Sequence, residues 1–231
     1  MQYFAPSARD GRRFRNINRR ICLLTFCLLL TITLAGCTPI IGSGHIISEE
    51  RSVTGFTALE LSGRGDVIIT QTGAESLRVS ADDNVLPLVT TQVRGKRLIL
   101  GLKRDSMLWE TTVRYEVTVR ELSALTLSGS GDITLTKLDG NRLDVKLSGS
   151  GTISAAGHVQ TLVIDLGGSG EFTGAELASQ QAEANVSGSG NVVVQASDTL
   201  AANISGSGHV TYIGNPRLTS HVSGSGAISP Q

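Results

Sequence analysis

Two carboxylates, Asp132 and Glu171, hold the same place in recurring short motifs: Asp132 follows Ser-Gly-Ser-Gly at 128–131, and Glu171 follows Gly-Gly-Ser-Gly at 167–170. If successive motifs stack at strand spacing, these acids lie two layers apart, about 10 Å. An inverting glycosidase holds its acid and base at a similar separation. The same pattern describes two solvated surface acids. A hydrolytic site also needs basic partners, and after residue 146 the only basic side chain besides histidine is Arg217. The expectation is a protein that is not an enzyme; a polysaccharide-active enzyme is the alternative.

Cation binding fares no better. Gly-Ser-Gly-Asp resembles the glycine-aspartate repeats that hold Ca²⁺ between turns. Here the position after the motif reads Asp66, Asp132, Thr152, Glu171, Asn191, His209, Ala227, so most layers lack a carboxylate. Asp66 beside Asp132 is the one pair open to weak cation binding, with Arg64 placed to neutralise it. His45, His158, His209 and His221 do not form a cluster, and neither a metal nor another cofactor is expected. Sugar-binding sites favour aromatic platforms. Beyond residue 50 the aromatics are Phe56, Trp109, Tyr115, Phe172 and Tyr212, with no stripe among them. Trp109 is the single candidate for an exposed anchor.

What could position such residues is set by the motif itself. Its first hydrophobe falls at Leu61, Leu127, Leu147, Leu166, Val186, Ile204 and Val222, with spacings of 66, 20, 19, 20, 18 and 18. A near-constant period of this length is a solenoid signature. Within each copy, alternate residues are apolar: Leu143, Val145, Leu147, Gly149, Gly151 and Ile153 on one side, and Asp144, Lys146, Ser148, Ser150 and Thr152 on the other. Period two means strands. A half-apolar strand buries its inner face by stacking on copies of itself. The expected fold is all-β, a single-stranded parallel β-helix with 18–20 residues per coil, in which the paired glycines form a corner. The inward residues shrink from Leu143, Val145 and Leu147 to Ala182, Ala184 and Val186, so the core is expected to narrow midway. The serines align into two outward ladders. The candidate binding face takes the serine ladders, one through Ser128, Ser148, Ser187, Ser205 and Ser223 and the other with Ser130, Ser150, Ser189 and Ser207 as its leading candidates, together with Asn185, Asn203 and His221.

Residues 53–126 are less regular. Ser76–Ala81, Leu88–Val93, Arg97–Leu102 and Arg114–Val119 alternate as strands that join the same sheet system, and residues 81–87 read as a short helical turn. The regular repeats occupy 127–229. The last coil, closing on Pro230-Gln231, is expected to leave an exposed edge suited to self-association.

The first residues carry an address. Six arginines precede residue 21, then an apolar run from Ile21 to Leu34 that is short for a bilayer span. Leu34-Ala35-Gly36-Cys37 resembles a bacterial lipobox. The resemblance implies a signal peptide over 1–36, removed on export, and a lipidated Cys37. Cys22 and Cys27 would leave with the signal, so Cys37 would have no internal disulfide partner. Several acyl chains hold a protein firmly at a membrane. Thr38 follows the cysteine rather than the aspartate linked to inner-membrane retention, so the expected address is the outer membrane. Residues 37–52 are expected to be a lipidated tether, the stretch after Cys37 reaching roughly 50 Å when fully extended.

Net charge is +0 overall, yet without the first twenty residues 14 basic and 19 acidic side chains remain, a net of −5. This argues against nucleic acid as a partner. The expected partners are the membrane, through Cys37, and an envelope protein or a glycan.

The stretches Gly55–Gln71 and Glu75–Val89, with the later Leu-Ser-Gly-Ser-Gly-Asp-Ile copies, resemble the bacterial head GIN domain family, labelled autotransporter-adhesin-like. The resemblance covers roughly residues 53–228. It implies a parallel β-helix, right-handed in sense, at the cell envelope, and supplies no catalytic residues. The chain lacks the membrane barrel that autotransport requires, which leaves surface binding as the inherited expectation.

Overall fold

The computed structural model describes residue 2 and residues 40–103, 108–109 and 111–231, without the side chain of Trp109. Apart from residue 2, the expected signal peptide lies outside the described residues, as do Cys37 and the side chain of Trp109. No helix among the described residues is long and apolar enough to cross a membrane.

The regular part is a stack of long bent strands. β1 (Ile40–Ile41), β2 (Ile46–Arg51), β3 (Ala58–Gly63), β4 (Asp66–Gln71) and β5 (Ser76–Asp82) come first, followed by a 3-10 turn at Leu86–Leu88. Next are β6 (Val89–Arg94), β7 (Arg97–Leu102), β8 (Leu108–Trp109), β9 (Arg114–Val119) and β10 (Ala124–Gly129). The coils follow: β11 (Asp132–Gly149), β12 (Thr152–Gly168), β13 (Glu171–Gly188), β14 (Asn191–Gly206), then β15 (His209–Ile213), β16 (Arg217–Gly224) and β17 (Ala227–Pro230). All but β1 and β8 belong to one 15-stranded sheet, so residues 53–126 join the solenoid rather than forming a separate domain. From β10 onward every pairing is parallel and in the register that the motif spacing predicts.

Each coil turns at the glycine motif, and neither of its two glycines has room for a Cβ against the coil below, the first being constrained by its backbone angle as well. The first has positive φ, +130° at Gly149 and +131° at Gly188, a conformation that favours glycine. The second, such as Gly151 or Gly170, has no room: a Cβ would collide with the glycine carbonyl of the coil below and with an inward leucine. That close approach lets both glycine carbonyls accept hydrogen bonds from the next coil. Ser169 N–H donates to Gly149 O at 2.9 Å, and Glu171 N–H to Gly151 O at 3.0 Å. A second bend comes from register slips near Leu135/Leu138, Ser154/Ala156 and Gly174/Ala178.

The inward columns are fully buried, among them Leu143–Leu162–Ala182–Leu200 and Ile133–Ile153–Phe172–Val192–Val210. Narrowing at Ala182 and Ala184 is partly offset within the same coil by Phe172, fully buried and among the largest core side chains.

The N-terminal end departs from the plain repeat. There β2 pairs antiparallel with β5, β5 with β9, and β6 with β7. Arg51 on β2 reaches across to β6, donating to Val89 O at 2.9 Å and to Leu86 O at 3.4 Å. Tyr115 is buried beneath, and burial raises its phenol pKa above the ordinary tyrosine value.

Residues 40–51, expected to be tether, are instead docked strands: β1 pairs with β8, and β2 with β5. The reason is local. Asp82-Asp83-Asn84 takes up the polar groups of the segment: Gly44 N–H donates to Asp82 at 2.8 Å, Ser43 Oγ to Asp83 at 2.6 Å, and Asn84 Nδ2 to Ile41 O at 2.8 Å. The Ser43 hydroxyl holds the exposed Asp83 carboxyl below the ordinary aspartate range.

Candidate functional site

The sheet side that precedes each glycine corner carries two adjacent outward columns. One runs Glu60, Thr126, Lys146, Asp165, Asn185, Asn203, His221. The other runs Ser62, Ser128, Ser148, Gly167, Ser187, Ser205, Ser223. Alternation puts both on the solvent face, and parallel stacking brings like residues to about 4.8 Å apart. The first column is knitted together: Asn203 Nδ2 donates to Asn185 Oδ1 at 2.9 Å, and Asn185 Nδ2 donates to Asp165 Oδ1 at 3.1 Å and Glu183 Oε1 at 3.0 Å. Between and over the columns lies a shallow groove of about 670 Å³, lined from Thr126 and Lys146 to His221 and Ser223.

Of the sequence-predicted face, Asn185, Asn203 and His221 line this groove. Ser130, Ser150, Ser189 and Ser207 are exposed at the corner beside it and do not line it. The ladder that does line it is Ser148, Ser187, Ser205 and Ser223, one motif position earlier. Lys146 and Asp165 complete the polar column. The alternation of Asp144, Lys146 and Ser148 was the sequence signal that places them there.

Asp66 and Asp132 are register neighbours, and Thr152, Glu171, Asn191 and His209 continue their column. Arg114 is the register neighbour of Asp66 on the other side, so Arg114, besides Arg64, supplies positive charge there. Thr152 N–H donates to the Asp132 carboxylate at 3.2 Å, and Thr173 Oγ1 to Glu171 at 3.2 Å. No group of three or more metal-ligating side chains occurs among the described residues. Asp132 and Glu171 line none of the grooves described here.

Another groove, of about 630 Å³, lies over Ile68 between β2 and β9. Arg78 there pairs with Glu50 at 3.0 Å and Glu116 at 4.0 Å, so three of its charges are taken up by one another. The polar-column groove, by contrast, keeps Lys146, the serine hydroxyls and the Asn203 carbonyl facing solvent.

The fold recurs in solved structures. A protein described as a "putative adhesin" from Bacteroides fragilis matches with a TM-score of 0.69 at 20% identity, covering 83% of this chain and 100% of that one. A "putative lipid binding protein" from Parabacteroides distasonis matches with a TM-score of 0.59 at 24% identity, covering 84% and 100%. A "putative adhesin" from Parabacteroides merdae matches with a TM-score of 0.52 at 18% identity, covering 83% and 98%. No curated protein matches the chain. A family model covers residues 55–216, taking in β3 to β15 and all but the last corner of the repeat. By that match, the chain belongs to the family described as "Putative auto-transporter adhesin, head GIN domain".

Proposed function

We propose that this protein is a non-catalytic binding module of the bacterial cell envelope, anchored through a lipidated Cys37, that takes an extended polar polymer along its polar-column groove. The observation that carries the reading is the straight run of Lys146, Asp165, Asn185, Asn203 and His221 beside a serine ladder. Donors and acceptors repeating at about 4.8 Å suit a ligand that itself repeats, such as a glycan strand or an extended peptide. The family description and the adhesin descriptions of two neighbours support a surface role, and the lipid-binding description of the third agrees with membrane proximity.

Purified envelope polysaccharide and peptidoglycan, immobilised, test the groove. The double variant Asn185→Ala/Asn203→Ala is expected to lower retention about tenfold, since two lost hydrogen-bonding side chains at roughly 0.5–1.5 kcal/mol each approach the 1.4 kcal/mol that a tenfold change requires. Unchanged retention would remove the groove from the function. Turnover of either glycan, abolished by Asp132→Ala or Glu171→Ala, would replace this reading with the enzymatic one.

Anchoring has its own test. Cys37→Ser is expected to lose acyl labelling and release the chain to the soluble fraction; a variant that stays membrane-bound refutes the anchor. With β1 beginning at Ile40, only three residue steps separate the cysteine from the folded unit, a reach of about 10 Å. The module would therefore work close against the membrane.

A further inference from the structure

The two ends of the solenoid are built differently. At the N-terminal end β2 and β6 are edge strands too, but they are blunted by charge, with Glu49, Glu50 and Arg51 on β2 and Arg94 on β6, and Arg51 ties one to the other. At the other end, among the described residues, β16 and β17 have a hydrogen-bonded neighbour on one side only. Leu218 and Val222 continue the buried columns of Leu200 and Ile204, yet stand 39% and 41% exposed. Solenoid ends and sheet edges of this kind are normally blunted by charge, proline or a covering element, because an open edge templates strand pairing.

Backbone direction shows which residues offer the edge. In a parallel ladder, the N–H and C=O of one residue point to the same neighbouring strand, and successive residues alternate. Asp144 N–H points down to Ser123 O, and Ser225 N–H points down to Gly206 O. Thr219 shares the column of Asp144, so Thr219, His221 and Ser223 bond to β14. Leu218, Ser220 and Val222 therefore direct their backbone groups to the open side. The charge there is unusual for an exposed edge: residues 199–231 hold no acidic side chain, and β16 and β17 carry only Arg217 and His221 as ionisable side chains.

We infer that the open edge of β16 pairs with β16 of a second copy, antiparallel, about a two-fold axis at Ser220. In that register Leu218 meets the partner's Val222 on the inward side, and each covers the other's exposed surface. Arg217 meets the partner's Ser223 and His221 meets the partner's Thr219, so like charges are not opposed. A two-fold contact is self-complementary and closes at two copies. It also has a consequence that rests on the groove reading above. The groove runs to the edge at His221 and Ser223, so pairing would place two grooves on one continuous sheet face, sidestepped by about four residues along the strand, and a repeating polymer could then be held at two linked sites.

The folded unit from residue 39 onward tests this, since a solved relative of that extent folds as a separate chain. Sedimentation equilibrium at micromolar concentration is expected to give twice the chain mass. Ser220→Pro removes one free edge donor while sparing the bonds to β14. Val222→Lys places a charge on the inward edge. Each is expected to weaken dimerisation at least tenfold with an unchanged circular dichroism spectrum; if the proline variant fails to fold, the lysine variant decides. A wild-type monomer overturns the proposal and points to a different protein on this edge. A dimer that survives the lysine variant, or assembly beyond two copies, also overturns it. The groove variant Asn185→Ala/Asn203→Ala is expected to remain dimeric, so loss of polymer binding and loss of pairing are separable results.

Discussion

Gly151→Ala is expected to destabilise the folded unit by roughly 2–5 kcal/mol, the sum of overpacking a tight site and loosening a buried hydrogen bond. Gly151 has an ordinary φ, so the cost is one of space. A Cβ there would overlap the carbonyl oxygen of Gly131 and sit 2.8 Å from Leu127 Cδ2. That same carbonyl accepts the Thr152 N–H at 3.2 Å. Moving it to make room would open the ladder between two coils, and the coil above rests on the same corner. For a unit of this size the melting temperature should fall by about 10 °C. Gly140→Ala is the matched control. No atom lies within 4 Å of its Cβ position, and its φ is not in the left-handed region. There the substitution is expected to be neutral or to stabilise by about 0.5 kcal/mol, through the unfolded chain. Thermal melts of the two variants side by side check this. Equal melting temperatures would show that the corner glycines are not held by inter-coil packing.

Phe172→Ala is the second large effect, at about 3–5 kcal/mol. Phe172 is fully buried between Ile153 and Val192 of its column, in the coil that also carries Ala182 and Ala184. Truncating it would leave a cavity that those small neighbours cannot fill. A partner residue makes the test specific. A Cβ on Gly174 would stand 2.7 Å from Phe172 Cε1. Gly174→Ala should therefore be costly alone and markedly cheaper in the Phe172→Ala background, a coupling of about 1 kcal/mol or more in a double-mutant cycle. Denaturant unfolding of the four proteins measures it. Simple additivity would mean that the ring and the glycine do not share the space described.

Much of the site was readable because a parallel stack turns sequence period into geometry. Aligning Lys146, Asp165, Asn185, Asn203 and His221 by motif offset places them in one column, and the register confirms it residue by residue. Which serine ladder borders the groove was harder to read. Ser148 and Ser150 are both outward by alternation, but the corner begins between them at Gly149, and a corner serine leaves the flat face. The docking of residues 40–51 had little local signal, since Gly42-Ser43-Gly44 reads as linker. The hydrogen bonds that capture it come from Asp82, Asp83 and Asn84, some forty residues away.

By itself, the sequence determined the coil, its period, its inward and outward faces and the need for glycine at each corner. These follow from local alternation repeated at near-constant spacing, and a repeat interacts mainly with its own copies. Only the tertiary structure decided how the stack begins: which strands flank its first coils and how residues 40–51 are held. Those outcomes depend on antiparallel pairings and polar captures between segments that share no repeat, and nothing periodic in the chain encodes them.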